Sequence, residues 1–148
     1  MLPGVATIRH TTQGSSMDAT QRKAAISQGF KSLGEGNPEA LLGLLDEQIE
    51  WTIIGNTKFS GVFKGKADVL ERLLGPLGGL LDGHLHITVE NIFAEGDCVA
   101  VQGHGASKTV TGGTYNNTYC WVYRWRGDKI VALTEYLDTE VVTASFGR

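Results

Sequence analysis

The 148 residues fit one domain, since domains usually contain about 100–150 residues. With 41% hydrophobic residues the chain can build a core without disulfides, and its net charge of -3 argues against the cationic surface that nucleic-acid binding requires. Its apolar runs fall far short of the roughly 20 residues of a membrane span. We therefore expect a cytoplasmic protein that binds neither nucleic acid nor membrane.

Residues 1–16 differ in composition from the rest of the chain. They are poor in large apolar side chains, rich in Thr, Gly, Ser and Gln, and lack the apolar stretch of a secretory signal. We expect this segment to be a flexible arm, an upstream extension or a cloning remnant. A single domain should follow over residues 17–148.

Three helices are predicted before the middle of the chain. Apolar side chains recur at helical spacing over residues 20–33, and Asn37-Pro38 suits the start of a second helix because Asn caps and Pro fits the first turn. A third helix is expected over residues 66–74. Gly75-Pro76 should end it.

Strands are predicted on both sides of the third helix. We place them at residues 48–54, 58–63, 84–94, 98–108, 114–125 and 129–139. The last four are joined by short turns and should pair as antiparallel neighbours. Because helices and strands are segregated along the chain, the pattern predicts an α+β fold.

Alternation of side chains across a strand places an aromatic stripe on one face of the penultimate strand. The odd-numbered residues there are Tyr115, Asn117, Tyr119, Trp121, Tyr123 and Trp125. A buried amide must find hydrogen bonds, so we predict that Asn117, Tyr119 and Trp121 line a pocket. The alternative is that the stripe is only core. Trp51 and Ile53 share a face of the first strand and could form another wall.

The last strand places Glu135 on one face with Leu133, among apolar neighbours. Two interpretations stay open. Glu135 is either a catalytic carboxylate whose pKa is raised by desolvation, or a structural residue paired with Arg124. His104 is a second catalytic candidate because histidine changes protonation near pH 7, although a hydrogen-bonded core histidine is the commoner case.

No metal site or cofactor is predicted. Cys98 and Cys120 both fall inside predicted strands and should be buried, reduced thiols. His84 and His86 could share a strand face, but no carboxylate or cysteine stands near them at zinc-ligand spacing.

Several stretches spread over residues 20–139 are similar to nuclear transport factor 2-like domains. The similar stretches in the first half are Glu35-Gly-Asn-Pro-Glu39, Leu41-Leu-Gly-Leu-Leu-Asp46, Trp51 and Phe63-Lys-Gly-Lys66. Those that resemble the SnoaL-like, ketosteroid-isomerase-related branch are Tyr115-Asn-Asn-Thr-Tyr119, Gly127-Asp-Lys-Ile130 and Glu135-Tyr-Leu-Asp-Thr139. The resemblance implies a cone-shaped, cystatin-like fold: a curved antiparallel sheet of about six strands, packed on three N-terminal helices around a pocket. It also implies a homodimer.

The resemblance further implies isomerases, polyketide cyclases and epoxide hydrolases that use pocket carboxylates, alongside relatives that only bind ligands. The ketosteroid isomerase carboxylates would fall near Thr52 and Trp121, so that mechanism is not expected. In the epoxide hydrolases an acidic residue matches Glu135, whereas Gln102 and His104 stand where its Arg and Asp partners would fall.

Three functions therefore stay open from the sequence. The first is an isomerase, cyclase or hydrolase acting on a small apolar or partly polar molecule, with Glu135 as acid or base and His104 assisting. The second is a non-catalytic binder of such a molecule. The third is a dimerisation or scaffold module in which the aromatic stripe is only core or interface.

Overall fold

The structure is a computed structural model that describes residues 16–148. The predicted flexible segment, residues 1–16, lies outside the described residues except for Ser16. The described residues form the predicted α+β fold, in which helices cover a curled six-stranded sheet. None of the described helices is long and apolar enough to cross a membrane.

The first two predicted helices are present as α1 (Ala19–Gly34) and α2 (Glu39–Leu42). Helix α1 begins with a capping box, in which the Asp18 side chain accepts a hydrogen bond from the backbone of Gln21 and the Gln21 side chain accepts one from the backbone of Asp18. Ile26 and Phe30 are buried on this helix and join the core. The N-terminal half of the chain thereby supplies a helical cover for the sheet.

The third predicted helix is longer than expected and changes its winding. It runs as α3 (Lys66–Asp68), a π-helical turn (Val69–Leu74) and α4 (Gly75–Leu80). The prediction that Gly75-Pro76 ends the helix was wrong. Pro76 stands just after the π-helical turn, and the helix continues through it to Leu80.

Strands alternate with tight turns over the rest of the chain. They are β1 (Leu45–Ile53), β2 (Gly61–Lys64), β3 (Leu81–Asp82), β4 (Ile87–Glu95), β5 (Cys98–Gly105), β6 (Ser107–Thr109), β7 (Thr114–Tyr115), β8 (Thr118–Arg126) and β9 (Lys129–Leu137). The large sheet has the order β2-β1-β9-β8-β5-β4. Strand β9 lies at its centre, between the first strand and the aromatic strand β8.

The predicted antiparallel sheet is in fact mixed. Strand β1 pairs parallel with β9, and all other pairs in the sheet are antiparallel. Side-chain periodicity reports which residues share a face of one strand, and it carries no information on which strand becomes the neighbour or in which direction. The sequence pattern therefore identified the strands without identifying this pair.

Two strands that were expected to be continuous are interrupted. The predicted strand 98–108 divides into β5 and β6, and the predicted strand 114–125 divides into β7 and β8 at Asn116 and Asn117. Strands β3, β6 and β7 form a separate three-stranded sheet. The predicted strand at 84–94 begins only at Ile87, so that His84 and His86 precede it and do not share a strand face.

A C-terminal helix, α5 (Thr139–Phe146), was not predicted. Asp138 caps it, because its side chain accepts hydrogen bonds from the backbone of Glu140 and Val141. Val142 is buried, and the Phe146 ring packs against Tyr115 with 4.7 Å between ring centroids. The Asp138-Thr139 pair is a helix-start signal that the sequence interpretation assigned to the end of a strand.

The two cysteines carry free thiols, as predicted. Both are half-buried rather than buried. Cys120 occupies an even-numbered position on β8, on the face opposite to the aromatic stripe. Its partial exposure follows from this alternation.

Candidate functional site

A cavity of about 430 Å³ lies between the large sheet and the helices. Its volume falls in the range of small-molecule sites, which usually measure about 300–1,000 Å³. The sheet contributes odd-numbered side chains of β1, β8 and β9, and α1, the π-helical turn and α4 close the other side. Prominent lining residues are Phe30, Trp51, Tyr119, Trp121, Tyr123 and Leu133.

Glu135 is the single charged side chain that the described residues contribute to the cavity wall. It is 9% exposed, and burial raises its pKa from the ordinary 4.5 to about 7. The predicted alternative, an ion pair with Arg124, is not formed. Arg124 lies on the opposite face of β8, where its guanidinium is 3.2 Å from a carboxylate oxygen of Asp97.

Among residues 16–148, the Glu135 carboxylate accepts one side-chain hydrogen bond. The indole nitrogen Nε1 of Trp121 donates to Oε1 of Glu135 over 3.0 Å. This hydrogen bond favours the charged form and lowers the pKa, but by less than burial raises it. Both the acid and the carboxylate form are therefore accessible near neutral pH.

The strand register explains why these side chains meet. Glu135 stands directly opposite Trp121 on β8 and opposite Ile53 on β1. Trp51, two residues before Ile53, projects from the same face, and its indole also lowers the pKa of Glu135. The Trp51 Nε1 is nevertheless buried without a hydrogen bond of good geometry to any described residue.

Aromatic rings surround the carboxylate. Tyr119 stacks on Trp121 with 4.5 Å between ring centroids and 15° between planes, and Phe30 from α1 packs on Trp121 at 4.8 Å. Burial raises the pKa of Tyr119 and of Tyr123 well above the ordinary value of 10. Both phenols are therefore neutral and remain hydrogen-bond donors at any physiological pH.

The structure brings together most residues that the sequence indicated for the site. Those that line the cavity are Trp51, Ile53, Tyr119, Trp121, Leu133 and Glu135. They come from three adjacent strands, which is why the alternation of side chains was sufficient to group them.

Asn117 does not line the cavity, contrary to the sequence prediction. Its side-chain amide donates to the Tyr115 hydroxyl and to the backbone oxygen of Asp138, both over 3.1 Å. Its side-chain oxygen accepts hydrogen bonds from the backbone of Asp138 over 3.0 Å and of Thr118 over 2.7 Å. Asn117 is satisfied by the protein and fastens the start of β8 to the end of β9.

His104 does not reach Glu135, and the predicted pair between them is not formed. It occupies an even-numbered position on β5 opposite Thr118, on the outer face of the sheet. There its Nδ1 lies 3.2 Å from Oε1 of Glu90, and both side chains are about half exposed. The sequence left open which face of β5 turned inward, and the observed register excludes His104 from this cavity.

Sequence reasoning missed the helical and C-terminal parts of the wall. Leu70, Leu73, Leu74 and Leu77 line the cavity from the π-helical turn and α4, and Val142 lines it from α5. The Leu-rich stretch that follows residue 66 was a signal for an apolar wall. Where this stretch lies over the sheet depends on how the helix packs, and the spacing of apolar residues does not predict that.

Comparison with known proteins identifies the family. The SnoaL-like domain model matches residues 26–133, which is most of the chain. No curated protein matches the sequence. Similar solved structures are numerous, and three illustrate them.

A nuclear transport factor 2-like protein from Burkholderia thailandensis is 20% identical, with a TM-score of 0.71, and the match covers 82% of this chain and 94% of that one. A protein named as a candidate isomerase from Bacillus subtilis is 19% identical, with a TM-score of 0.74, covering 88% and 96%. TerC, co-crystallised with polyporic acid, is 21% identical, with a TM-score of 0.67, covering 79% and 91%. These structures show the same fold, and with the family match they establish that the chain belongs to the SnoaL-like family of the nuclear transport factor 2-like superfamily.

Proposed function

We propose that this protein binds a small, largely apolar molecule in the cavity and transfers a proton to or from it through Glu135. One observation carries the proposal: a lone carboxyl group with a pKa of about 7 lines an apolar cavity of about 430 Å³. A general acid–base group works best when its pKa lies near the working pH. Perturbed groups in clefts are candidates for functional sites.

The chemistry that fits is cofactor-independent isomerisation, cyclisation or hydrolysis. As a carboxylate, Glu135 takes a proton from the bound molecule, and as an acid it returns the proton to a second position. The neutral phenols of Tyr119 and Tyr123 are donors that suit an oxygen on which negative charge develops. The positions near Thr52 and Trp121, where ketosteroid isomerases carry carboxylates, hold none, so one group serves as both base and acid.

The charge and the aromatic wall of the cavity restrict the class of ligand that we propose. Glu135 is the one charged residue that the described part of the chain contributes to the cavity, so an anionic ligand meets repulsion from the ionised carboxylate in a low-dielectric site and a neutral ligand does not. The stacked rings of Tyr119 and Trp121 give one wall a flat apolar face. The co-crystal of TerC with polyporic acid supports small-molecule binding within this fold. A neutral molecule with a ring system and few polar groups is the class we propose.

A non-catalytic binder is the second candidate, favoured by the missing family carboxylates. A scaffold role has less support, because a core stripe alone would leave no hollow of this size. Assembly as a homodimer and a cytoplasmic location are also proposed, and both rest on the family resemblance and the sequence.

The test begins with native mass spectrometry of the purified protein, which reports a co-purified ligand and the oligomeric state together. Turnover of the identified molecule or its analogues is then followed from pH 5 to 9 in the native chain, in Glu135→Gln and in the matched outer-face control Glu90→Gln. We expect Glu135→Gln to bind the molecule but to lose turnover, while Glu90→Gln keeps both. Unchanged turnover and pH profile in Glu135→Gln would exclude proton transfer by this residue. Tight binding without turnover in the native chain would establish the binder instead.

A further inference from the structure

The two oxygens of the Glu135 carboxylate have different surroundings. Oε1 accepts the 3.0 Å hydrogen bond from the Trp121 indole, a group that can only donate. Oε2 has no hydrogen bond to any residue that the structure describes. The oxygen facing Trp121 therefore behaves as an acceptor in both protonation states.

A second indole lies on the other side of the carboxylate. Trp51 projects from β1 and Trp121 from β8, the two strands that flank β9. The Trp51 N–H is buried and lacks a hydrogen-bond partner among the described residues, although it is close enough to favour the charged form of Glu135. A buried donor without a partner is costly unless a nearby charge compensates it.

From this geometry we propose that Trp121 is a positioning residue that keeps Oε1 of Glu135 as a hydrogen-bond acceptor, so that proton exchange with a bound molecule takes place at Oε2. Trp51 is the second donor, which stabilises the carboxylate once it is charged. The inference rests on the proposed function of Glu135. It adds that Oε2 is the oxygen that exchanges the proton, and that Trp121 and Trp51 are the residues that determine this.

The proton balance follows from the hydrogen bond. In the acid form the proton is on Oε2, and Oε1 is the carbonyl oxygen that accepts from Trp121. When the acid acts, the Oε2–H bond breaks, the proton goes to the bound molecule, and the electron pair stays on the carboxylate. The charge is then shared with Oε1, where the Trp121 N–H stabilises it. When the carboxylate acts as a base, the same steps run in reverse.

Few other ionisable groups face Glu135. From β7 and β8 these are Tyr115, Tyr119 and Tyr123, whose pKa values are all raised by burial, so they stay neutral through the range in which Glu135 titrates. The helices contribute apolar side chains to the cavity, and no described Lys, Arg or His lines it. A titration observed near pH 7 in the cavity therefore belongs to Glu135.

The infrared carbonyl band of protonated Glu135, followed from pH 5 to 9, tests the proposal. Glu135→Gln identifies the band by subtraction. In Trp121→Phe we expect the midpoint to rise by about one pH unit, because a donor to the charged form is lost. The band should also move to higher frequency, because its C=O group has lost a hydrogen bond. In the matched variant Trp51→Phe the midpoint should rise less and the band should keep its frequency. An unchanged or lower midpoint in Trp121→Phe overturns the proposal, as does a band shift that appears only in Trp51→Phe.

A measurement on the native chain decides the matter if Trp121→Phe does not fold. The chain has three tryptophans, so indole ¹⁵N–¹H spectra contain three side-chain signals. The Trp121 signal should shift most between pH 5 and 9, with the midpoint of the Glu135 band. Trp125, about 13 Å along the same strand, is the internal control. Equal shifts of Trp121 and Trp125, or no shift of Trp121, overturn the proposal. These spectra need no ligand, so a failure to find turnover would count against the proposed function and leave this inference standing on its own result.

Discussion

The two faces of the large sheet hold similar ionisable groups in opposite circumstances. On the inner face the Glu135 carboxylate lies 3.0 Å from a ring nitrogen of Trp121, and on the outer face the Glu90 carboxylate lies 3.2 Å from a ring nitrogen of His104. The inner pair is buried, whereas the outer pair is about half exposed. Burial raises the pKa of the inner carboxylate, that of Glu135. Exclusion of water, rather than the presence of a ring nitrogen, distinguishes the candidate site.

The same contrast separates two consecutive asparagines. Asn117 is 1% exposed and uses both ends of its amide within the protein. Asn116 is exposed and accepts one hydrogen bond, from the backbone of Ser107 over 3.3 Å. Between β7 and β8, two neighbouring residues of the same type therefore differ: Asn117 is a buried structural residue and Asn116 a surface residue. Matched substitutions at buried and at exposed positions test this difference.

The largest effect is expected from Asn117→Ala. It would remove the hydrogen-bond partner of the Asp138 and Thr118 backbone and of the buried Tyr115 hydroxyl, and unsatisfied groups cost about 1–3 kcal/mol each. We expect the free energy of unfolding, measured with urea, to fall by about 4 kcal/mol. Asn116→Ala is the control and should cost less than about 1 kcal/mol. Equal losses in the two variants would contradict the assignment of Asn117.

The next effect depends on pH. Folding raises the pKa of Glu135 to about 7, so between its ordinary pKa of 4.5 and that value the folded chain holds a proton that the unfolded chain releases. Stability due to this group is therefore full below pH 4.5 and falls as pH rises to 7, by up to about 3 kcal/mol. Glu135→Gln should be more stable than the native chain at pH 8 by up to that amount and similar to it at pH 4.5.

Urea unfolding at the two pH values checks this prediction. Glu90→Gln on the outer face is the control, and its stability relative to the native chain should be almost the same at both. If Glu135→Gln were less stable than the native chain at pH 8, the carboxylate would be held by stronger interactions than the Trp121 hydrogen bond.

The smallest effect is expected from His104→Ala. Exposed ion pairs contribute about 0–1 kcal/mol, so the free energy of unfolding should change by less than about 1 kcal/mol. Because His104 is on the outer face, any ligand bound in the cavity should keep its affinity and any turnover its pH profile. A tenfold loss of turnover, measured with the substrate identified by mass spectrometry, would contradict this assignment and indicate that His104 belongs to the site.

How much of this could be predicted from the sequence depends on whether the information was local. Alternation along one strand grouped Trp121 with the other aromatic residues and Glu135 with apolar residues, and a raised pKa of Glu135 was one of the two interpretations that the sequence left open. His104 could not be assigned to the inner or the outer face of the sheet from the sequence. It lies between two glycines at the end of β5, and the pairing of β5 with β8 is what reveals which residues of β5 face inward. Asn117 was correctly expected to need hydrogen bonds, but two of the four that it makes are with the backbone of Asp138, 21 residues later.

Three features of the fold could not be predicted from the sequence. The parallel pairing joins β1, the first strand of the chain, to β9, the last strand. These strands are far apart in sequence, so no local pattern predicts that they pair. The third helix continues past Pro76 after a π-helical turn, a change of winding that the pattern of apolar residues does not reveal. Helix α5 was obscured because its cap, Asp138, directly follows a strand.

The π-helical turn at Val69–Leu74 has a consequence for how this cavity can diversify. Such a turn contains one residue more than a regular turn, and removing a residue would rotate everything after it by about 100° around the helix axis. Leu77 would then swing away from the cavity, while Glu135, Trp51 and Trp121 would keep their places on the sheet. A single-codon insertion or deletion in this turn would therefore alter the shape of the cavity and leave Glu135 in place. In this fold the helical wall of the cavity can change while the sheet wall that carries Glu135 stays the same.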